Sequence, residues 1–137
     1  MKQKNILFIC KNNRFKSKIA EAYFKKINKN KKIKAESSGL FEGFPMNKKT
    51  TKVVKELKIN LKGKPRATSN KLLTQQDLVI IVADNVPKSI FPRIYTKKVI
   101  QWKIKDIKKW NKTGIIKTTK QIIKQVDRLN KELEKRK

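Results

Sequence analysis

A single cysteine lies where a thiol could act as a nucleophile. Cys10 follows the apolar run of residues 5–9, which predicts a buried strand, and an amphipathic helix is predicted from Ser17 onward. Backbone N–H groups of such a loop, together with those of the helix N-terminus, converge on one point and favour an anion there. The same groups favour a thiolate, so the loop over residues 10–17 has the means to bind an oxyanion and attack it.

Cations near Cys10 strengthen this interpretation. They are contributed by Lys11, Arg14, Lys16 and Lys18. A cation close to the sulfur stabilises the thiolate and attracts the oxyanion that it would attack. Without such surroundings, a cysteine at the end of a strand is more often a small buried apolar residue. The loop as a whole therefore favours a nucleophilic role for Cys10.

The composition excludes several classes of site. The chain has no histidine, which removes a Ser-His-Asp triad, a Cys-His pair and histidine-ligated metals. Its single cysteine allows neither an internal disulfide nor a cysteine-only metal site, so we expect no metal and no cofactor. No apolar run approaches the roughly 18 residues of a membrane span. The apolar run near the N-terminus is too short for a signal peptide, and we therefore predict a cytoplasmic protein.

The charge balance is strongly basic. The chain has 38 Lys and Arg residues and 10 Asp and Glu residues, which gives a net charge of +28. Such a charge suggests nucleic acid as a partner, but nearly all of the cations are lysines, and they occur in almost every stretch. We interpret most of them as a solvated surface that binds nucleic acid only nonspecifically and with strong salt dependence. A basic rim also suggests acidic substrates or partners.

Strands and helices are predicted to alternate along the chain. Apolar runs indicate strands at residues 5–9, 33–37, 77–83 and 98–102. Helical spacing indicates helices that begin at Ser17, as an N-cap, and that cover about 47–57 and 113–133. This order predicts a single α/β domain of three layers over residues 1–137, with a four-stranded parallel sheet between helices and a frayed tail at 130–137. Ligands of such sheets bind beyond the carboxyl ends of the strands, here at loops 10–17, 83–87 and 102–107.

The order of these features resembles a known family. A strand, Cys10, five residues, basic Lys16, Ser17 and a helix with Ala-Glu-Ala are similar to the low-molecular-weight protein tyrosine phosphatases and to their thiol arsenate reductase relatives. The stretches SSGLFEGFPMN (37–47), LKINLKGKPRATSNKLL (57–73) and WKIKDI (102–107) also resemble the corresponding family segments. The match covers essentially the whole chain, and it implies the flavodoxin-like fold of phosphotyrosine phosphatase I.

The resemblance assigns roles to individual residues. It implies that Cys10 is the nucleophile, that Asn13 holds the backbone of the loop and that Ser17 steadies the thiolate. It implies Asp106 as the general acid. Asp84, which lies at the carboxyl end of a predicted strand, is the competing candidate. The oxyanion-binding loop would consist of Lys11, Asn12, Asn13, Arg14, Phe15 and Ser17.

Three positions depart from the family pattern. Lys16 stands in place of the phosphate-binding arginine, which keeps the charge but loses the two-pronged geometry, so we expect a slower reaction. Ile107 replaces the proline that follows the general acid, and Asn12 stands where many relatives have glycine. Asparagine tolerates a positive φ better than most residues, so the last change is mild.

The function implied by the resemblance is hydrolysis of phosphomonoesters of the phosphotyrosine type through a phosphocysteine intermediate. An arsenate reductase is the rival with the same fold, and it would need an external thiol because no cysteine follows Cys10. A weakened relative that binds an oxyanion or a phosphoprotein without turnover is a third hypothesis, based on Lys16. A nucleic-acid-binding module is a fourth, based on charge alone. The expected partners are accordingly a phosphorylated protein or a small phosphate or arsenate oxyanion.

Overall fold

The computed structural model describes residues 3–135, in which helices and strands alternate. The strands are β1 (Lys4–Cys10), β2 (Ile33–Gly39), β3 (Leu78–Val82) and β4 (Val99–Trp102). The helices are α1 (Lys16–Ile27), α2 (Lys48–Glu56), α3 (Asn70–Thr74) and α4 (Lys112–Lys135). Two short 3-10 turns, Lys88–Ile90 and Arg93–Tyr95, lie between β3 and β4.

The four strands form one parallel sheet in the order β2-β1-β3-β4. This confirms the predicted α/β fold with a four-stranded parallel sheet. Cys10 at the end of β1 lies in register with Gly39 at the end of β2, and β3 and β4 end at the same edge. The loops that follow these ends are therefore neighbours, as expected for a ligand site in a parallel sheet.

Both faces of β1 and β3 are buried, which explains their continuous apolar sequences. On one face, Phe8 and Ile80 pack with residues of α1 and α4 such as Phe24 and Ile122. On the other face, alternating residues of the same strands join a second cluster with α3 and the β3–β4 connection, namely Leu7, Ile9, Val79, Ile81, Leu72, Leu73 and Phe91. Two layers of core thus hold the carboxyl end of β1 in place.

Two predictions of helix ends were wrong. Helix α1 begins at Lys16, and its N-cap is Phe15 without a side-chain hydrogen bond, so Ser17 is not the cap. The Ser17 hydroxyl is instead hydrogen bonded to two side chains of the preceding loop. At the other end of the chain, the tail predicted to fray from residue 130 is helical through Lys135. There Leu133 is buried in the core and extends the apolar face of α4; residues 136 and 137 lie outside the described residues.

Helix α3 was not predicted. It has only five residues, too few to show a helical period, and it follows a segment rich in turn signals. Ser69 caps it by accepting a hydrogen bond from the Leu72 N–H at 3.0 Å. Across residues 3–135, no helix combines the length and apolar character that crossing a membrane requires.

Candidate active site

The thiol of Cys10 is buried and points at a hydroxyl. Its Sγ lies 3.0 Å from Ser17 Oγ, and the cysteine is 4% exposed. Ser17 Oγ also accepts a hydrogen bond from Asn13 Nδ2 at 2.8 Å. The Ser17 hydroxyl accepts from Asn13 and still has its own hydrogen, which it can donate to a sulfur that carries no proton. A thiolate at Cys10 would therefore find a donor oriented toward it.

Asn13 holds the Cys10 loop (residues 10–17) from behind. It is fully buried, and its backbone φ is 52°, a left-handed conformation that asparagine tolerates. Its side-chain NH₂ group donates to Ser17 Oγ and to Ser37 Oγ, and its carbonyl oxygen accepts from the Arg66 backbone N–H at 3.0 Å. Three bonds to three different segments fix this turn of the loop.

The hydrogen-bond network continues into β2 and α1. Ser37 donates to Glu21 Oε1 at 2.5 Å, and Glu21 also pairs with Lys25. Arg66 Nε donates to the Ser37 carbonyl oxygen at 2.9 Å. The contacts of Glu21 and Arg66 with Ser37 were not predicted, since nothing local in the sequence indicates contacts between residues that are far apart in the chain.

Two glycines allow the β2–α2 connection to approach the Cys10 loop. A Cβ atom on Gly39 would lie 2.7 Å from the Asn13 backbone nitrogen, and one on Gly43 would lie 2.6 Å from the Asn12 oxygen. Between them, the Phe41 N–H donates to the Lys11 carbonyl oxygen at 3.0 Å. The loop is thus supported by backbone, which leaves no space for side chains at these glycines.

Lys16 forms an ion pair with Asp106. Its side chain is 8% exposed, and its Nζ lies 2.5 Å from Asp106 Oδ1 and 3.2 Å from the Ile104 carbonyl oxygen. Asp106 is 65% exposed, and its second oxygen accepts from Asn85 Nδ2 at 2.9 Å. The ion pair therefore connects the Cys10 loop to the loop after β4. Asn85, which the sequence analysis did not single out, orients the carboxylate from the loop after β3.

A cavity of about 220 Å³ opens at this point. It is lined by Cys10, Lys11, Asn12, Arg14, Phe15, Lys16, Asp106, Ile107 and Trp110. Of the predicted site residues, Asn13 and Ser17 lie behind the cavity wall and support it, whereas Asp84 is exposed and is not among the lining residues. Asp106 thus lines the same cavity as Cys10, and Asp84 does not.

The cavity has one aromatic wall. Trp110 is half-exposed and packs edge-on against Phe15, with the ring centroids 5.1 Å apart. Trp110 thus packs against a residue of the Cys10 loop and also forms part of the cavity wall. Such a wall suits a flat apolar group of a ligand.

Arg14 is one of three cations of the Cys10 loop that line the cavity, together with Lys11 and Lys16. Its Nη2 donates to the Pro45 carbonyl oxygen at a long 3.4 Å. Its Nε is buried and has no hydrogen-bond partner within residues 3–135. A buried N–H without a partner costs free energy, so the present arrangement of Arg14 leaves one hydrogen bond unmade.

A buried lysine lies just behind the loop. Burial lowers the pKa of Lys18, the nearby Glu21 carboxylate opposes this effect, and Arg66 acts in the same direction as burial. Lys18 donates to the Lys64 carbonyl oxygen at 3.3 Å and does not line the cavity. The lysines that line the cavity are Lys11 and Lys16.

Comparison with known proteins agrees with this geometry. The chain matches the family described as low molecular weight phosphotyrosine protein phosphatase over residues 5–137. A comparison with curated proteins gave no significant match.

Several solved structures share the fold. An arsenate reductase from Archaeoglobus fulgidus DSM 4304 is 26% identical, with a TM-score of 0.78 over 91% of this chain and 98% of that chain. A low molecular weight protein tyrosine phosphatase from T. tengcongensis is 24% identical, with a TM-score of 0.81 over 95% and 99%. The YwlE arginine phosphatase from Geobacillus stearothermophilus is 18% identical, with a TM-score of 0.82 over 97% and 94%.

The solved structures that share this fold include both phosphatases and arsenate reductases, and the family as a whole is built on cysteine-based phosphatase chemistry. The family match spans nearly the whole chain and includes the Cys10 loop and the loop that carries Asp106. The chain therefore belongs to the low molecular weight phosphotyrosine protein phosphatase family.

Proposed function

We propose that the chain hydrolyses phosphomonoesters through a phosphocysteine intermediate formed on Cys10. The observation that carries this proposal is the hydrogen-bonded row of Cys10, Ser17 and Asn13, in which each group is oriented by the next. The hydroxyl, the helix N-terminus and the cations around this sulfur are groups that assist its attack on an oxyanion. A merely structural cysteine would need none of these groups.

In the first step, the Cys10 thiolate attacks phosphorus, and the bond between phosphorus and the ester oxygen breaks. The leaving oxygen takes a proton from Asp106, whose exposed carboxyl group lines the same cavity. Backbone N–H groups of the Cys10 loop and the first turn of α1 hold the phosphoryl oxygens. The aromatic wall of Phe15 and Trp110 supports an aryl leaving group, as in phosphotyrosine.

In the second step, Asp106 is a carboxylate and acts as a base. It removes a proton from a water molecule that attacks phosphorus, the sulfur–phosphorus bond breaks, and phosphate leaves with the thiolate restored. One carboxyl group thus gives a proton in the first step and takes one in the second.

Lys16 and Arg14 share the role that a single arginine would have. Protonation of Asp106 neutralises one partner of the ion pair, so Lys16 becomes available to the phosphoryl oxygens at the moment when the acid is needed. Arg14 lines the same cavity and offers a second positive charge there. A point charge and a displaced guanidinium are poorer than one two-pronged group, so we expect a slow phosphatase.

Arsenate reduction is the second candidate function. A solved arsenate reductase shares the fold, and arsenate has the same shape and charge as phosphate. Cys10 is the only cysteine in the sequence, so a reaction that ends in a disulfide would need a thiol from another molecule. Binding without turnover is the third candidate, and it is supported by the contacts of Lys16, which face Asp106 and Ile104.

The test is hydrolysis of aryl phosphates between about pH 5 and 8 by the parent and four variants, which are Cys10→Ser, Asp106→Asn, Lys16→Arg and Asp84→Asn. We expect Cys10→Ser to abolish activity and Asp106→Asn to lower kcat by roughly 10²-fold or more. The loss in Asp106→Asn should be larger for phenyl phosphate than for p-nitrophenyl phosphate, because the poorer leaving group needs the proton more. Asp84→Asn is the matched control and should keep a kcat near that of the parent.

Two outcomes would contradict the proposal. Activity that survives in Cys10→Ser would show that Cys10 is not the nucleophile. If the parent binds phosphate but releases no product from any aryl phosphate, and Lys16→Arg is equally inactive, the protein binds oxyanions without turning them over. Thiol-dependent arsenite formation by the same inactive parent would instead support the reductase.

A further inference from the structure

A basic groove opens directly beside the active-site cavity. It has a volume of about 530 Å³ and lies between the loop after β4 and the first turns of α4. Its walls include Asp106 and Ile107, which also line the cavity that contains Cys10. We call it the α4 groove; the two spaces meet at the carboxylate that we propose as the general acid.

Four lysines dominate the charge of the α4 groove. Lys105, Lys108, Lys109 and Lys117 are all exposed and line the groove but not the cavity. None of the four takes part in an ion pair within residues 3–135. The one carboxylate in the groove, Asp106, is already bonded to Lys16 and Asn85. The groove therefore presents four uncompensated positive charges.

We propose that the α4 groove binds acidic side chains next to the phosphorylated residue of a polypeptide substrate. This inference rests on the proposed function, because it takes the phosphorylated residue to lie in the cavity of Cys10. An extended polypeptide advances about 3.3 Å per residue, so neighbours of that residue reach a groove that shares a wall with the cavity. Carboxylates there would be attracted by the lysines, which raises the rate of encounter and the affinity.

The chemistry of the α4 groove favours an acidic polypeptide over a nucleic acid. Single-stranded nucleic acids are held by aromatic side chains on which bases stack, with arginine adding contacts. No aromatic residue and no arginine lines the groove among the described residues, and Trp110 belongs to the cavity wall. Lysines without stacking partners suit carboxylates, which need only charge and hydrogen-bond donors.

A second lysine-rich cavity provides the control. It lies at the opposite end of the sheet, where β2 begins, and its walls include Lys29 and Lys31. Both are exposed and follow α1. Since this cavity shares no lining residue with that of Cys10, removal of its charges tests whether total charge alone explains binding.

The experiment compares two phosphotyrosyl peptides that differ only in their flanks, Glu and Asp in one and Gln and Asn in the other. Binding is followed by fluorescence anisotropy at low salt in the Cys10→Ser variant, so that no turnover occurs. Three proteins are measured: Cys10→Ser alone, the same with Lys108→Gln and Lys117→Gln, and the same with Lys29→Gln and Lys31→Gln. The two double replacements remove the same charge from exposed positions.

We expect the acidic peptide to bind roughly tenfold more tightly than the neutral one in the first protein. The groove variant should lose most of that ratio, and the control variant should keep it. Equal losses in the two variants, no preference in the first protein, or no binding of either peptide would overturn the inference. So would an oligonucleotide whose binding depends on the groove lysines more strongly than that of the acidic peptide.

Hydrolysis of p-nitrophenyl phosphate by the parent separates the two failures. This substrate carries no flanking residues, so its turnover tests the proposed function alone. If the parent hydrolyses it while the groove and control variants bind the peptides alike, the proposed phosphatase function stands and the inference about the α4 groove is wrong. If the parent does not hydrolyse it, the proposed phosphatase function is wrong, regardless of how the peptides bind.

Discussion

Lys16 decides how well the Cys10 loop stabilises a transferring phosphoryl group. Its ammonium is a point charge that is held by Asp106 and by the Ile104 carbonyl oxygen. A guanidinium at this position would carry two parallel donors that match two phosphoryl oxygens. Because that match is best in the transition state, the substitution acts on kcat more than on substrate binding.

Lys16→Arg is therefore expected to raise kcat for p-nitrophenyl phosphate by on the order of tenfold or more, with a smaller change in KM. The readout is the separate measurement of kcat and KM under saturating conditions. Lys103→Arg, an exposed position that lines neither the cavity nor the α4 groove, serves as the control and should leave both constants unchanged. A variant slower than the parent would show that the ion pair with Asp106 requires lysine.

For single residues, the sequence predicted the reactive groups of the site but not the hydrogen bonds that orient them. Cys10 and the cations that follow it are close in the chain, so their spacing alone pointed to an oxyanion site. Asn85 is 21 positions from Asp106, and Ser37 is 24 positions from Asn13, and no local pattern links such pairs. Their contacts arise only when the strands are placed side by side.

Helices α1 and α4 are joined by a polar contact beside the apolar core. The Tyr23 hydroxyl of α1 donates to Asp127 Oδ1 of α4 at 2.7 Å. Burial, together with this hydrogen bond to a carboxylate, raises the pKa of Tyr23 from its ordinary value to about 12. The neutral phenol is thus favoured by the folded state, and its ionisation favours unfolding.

The stabilisation from Tyr23 is fully present below the ordinary tyrosine pKa of about 10 and is lost as pH rises through the folded-state value of about 12. Urea unfolding should show that the parent loses more stability over this range than Tyr23→Phe, which cannot ionise. At neutral pH the variant should be less stable by about 1 kcal/mol, because one hydrogen bond is gone. Tyr95→Phe is the control and should retain the alkaline loss; equal alkaline losses in the parent and in Tyr23→Phe would contradict this assignment.

Elements with strong patterns were predicted well, and those defined by tertiary contacts were not. The apolar runs of β1 and β3 gave both strands to within a residue or so. Strand β2 extends to Gly39, beyond the predicted end at residue 37, because the weak strand formers Ser38 and Gly39 pair with Ile9 and Cys10. Helix α3 depends on a serine cap and on the packing of Leu72 and Leu73. Its five residues are too few to show a helical pattern in the sequence.

The parallel sheet brings the separate parts of the site together in the whole molecule. Loops that follow β1, β3 and β4 meet at one edge, so a thiol from position 10, an amide from position 85 and a carboxylate from position 106 face one small region. The sequence predicted this convergence from the alternation of strands and helices. It did not predict the α4 groove, because a net charge of +28 spread over every segment hides which lysines gather at one place.

Capture of the phosphocysteine tests the proposed mechanism at its intermediate. Parent, Asp106→Asn and Cys10→Ser proteins would be mixed with p-nitrophenyl phosphate, quenched during turnover and examined by intact-protein and peptide mass spectrometry. We predict one phosphoryl group on Cys10, accumulated most in Asp106→Asn because water is no longer activated, and none in Cys10→Ser. If the parent releases p-nitrophenol while neither the parent nor Asp106→Asn carries a phosphoryl group on Cys10, the proposed mechanism is wrong.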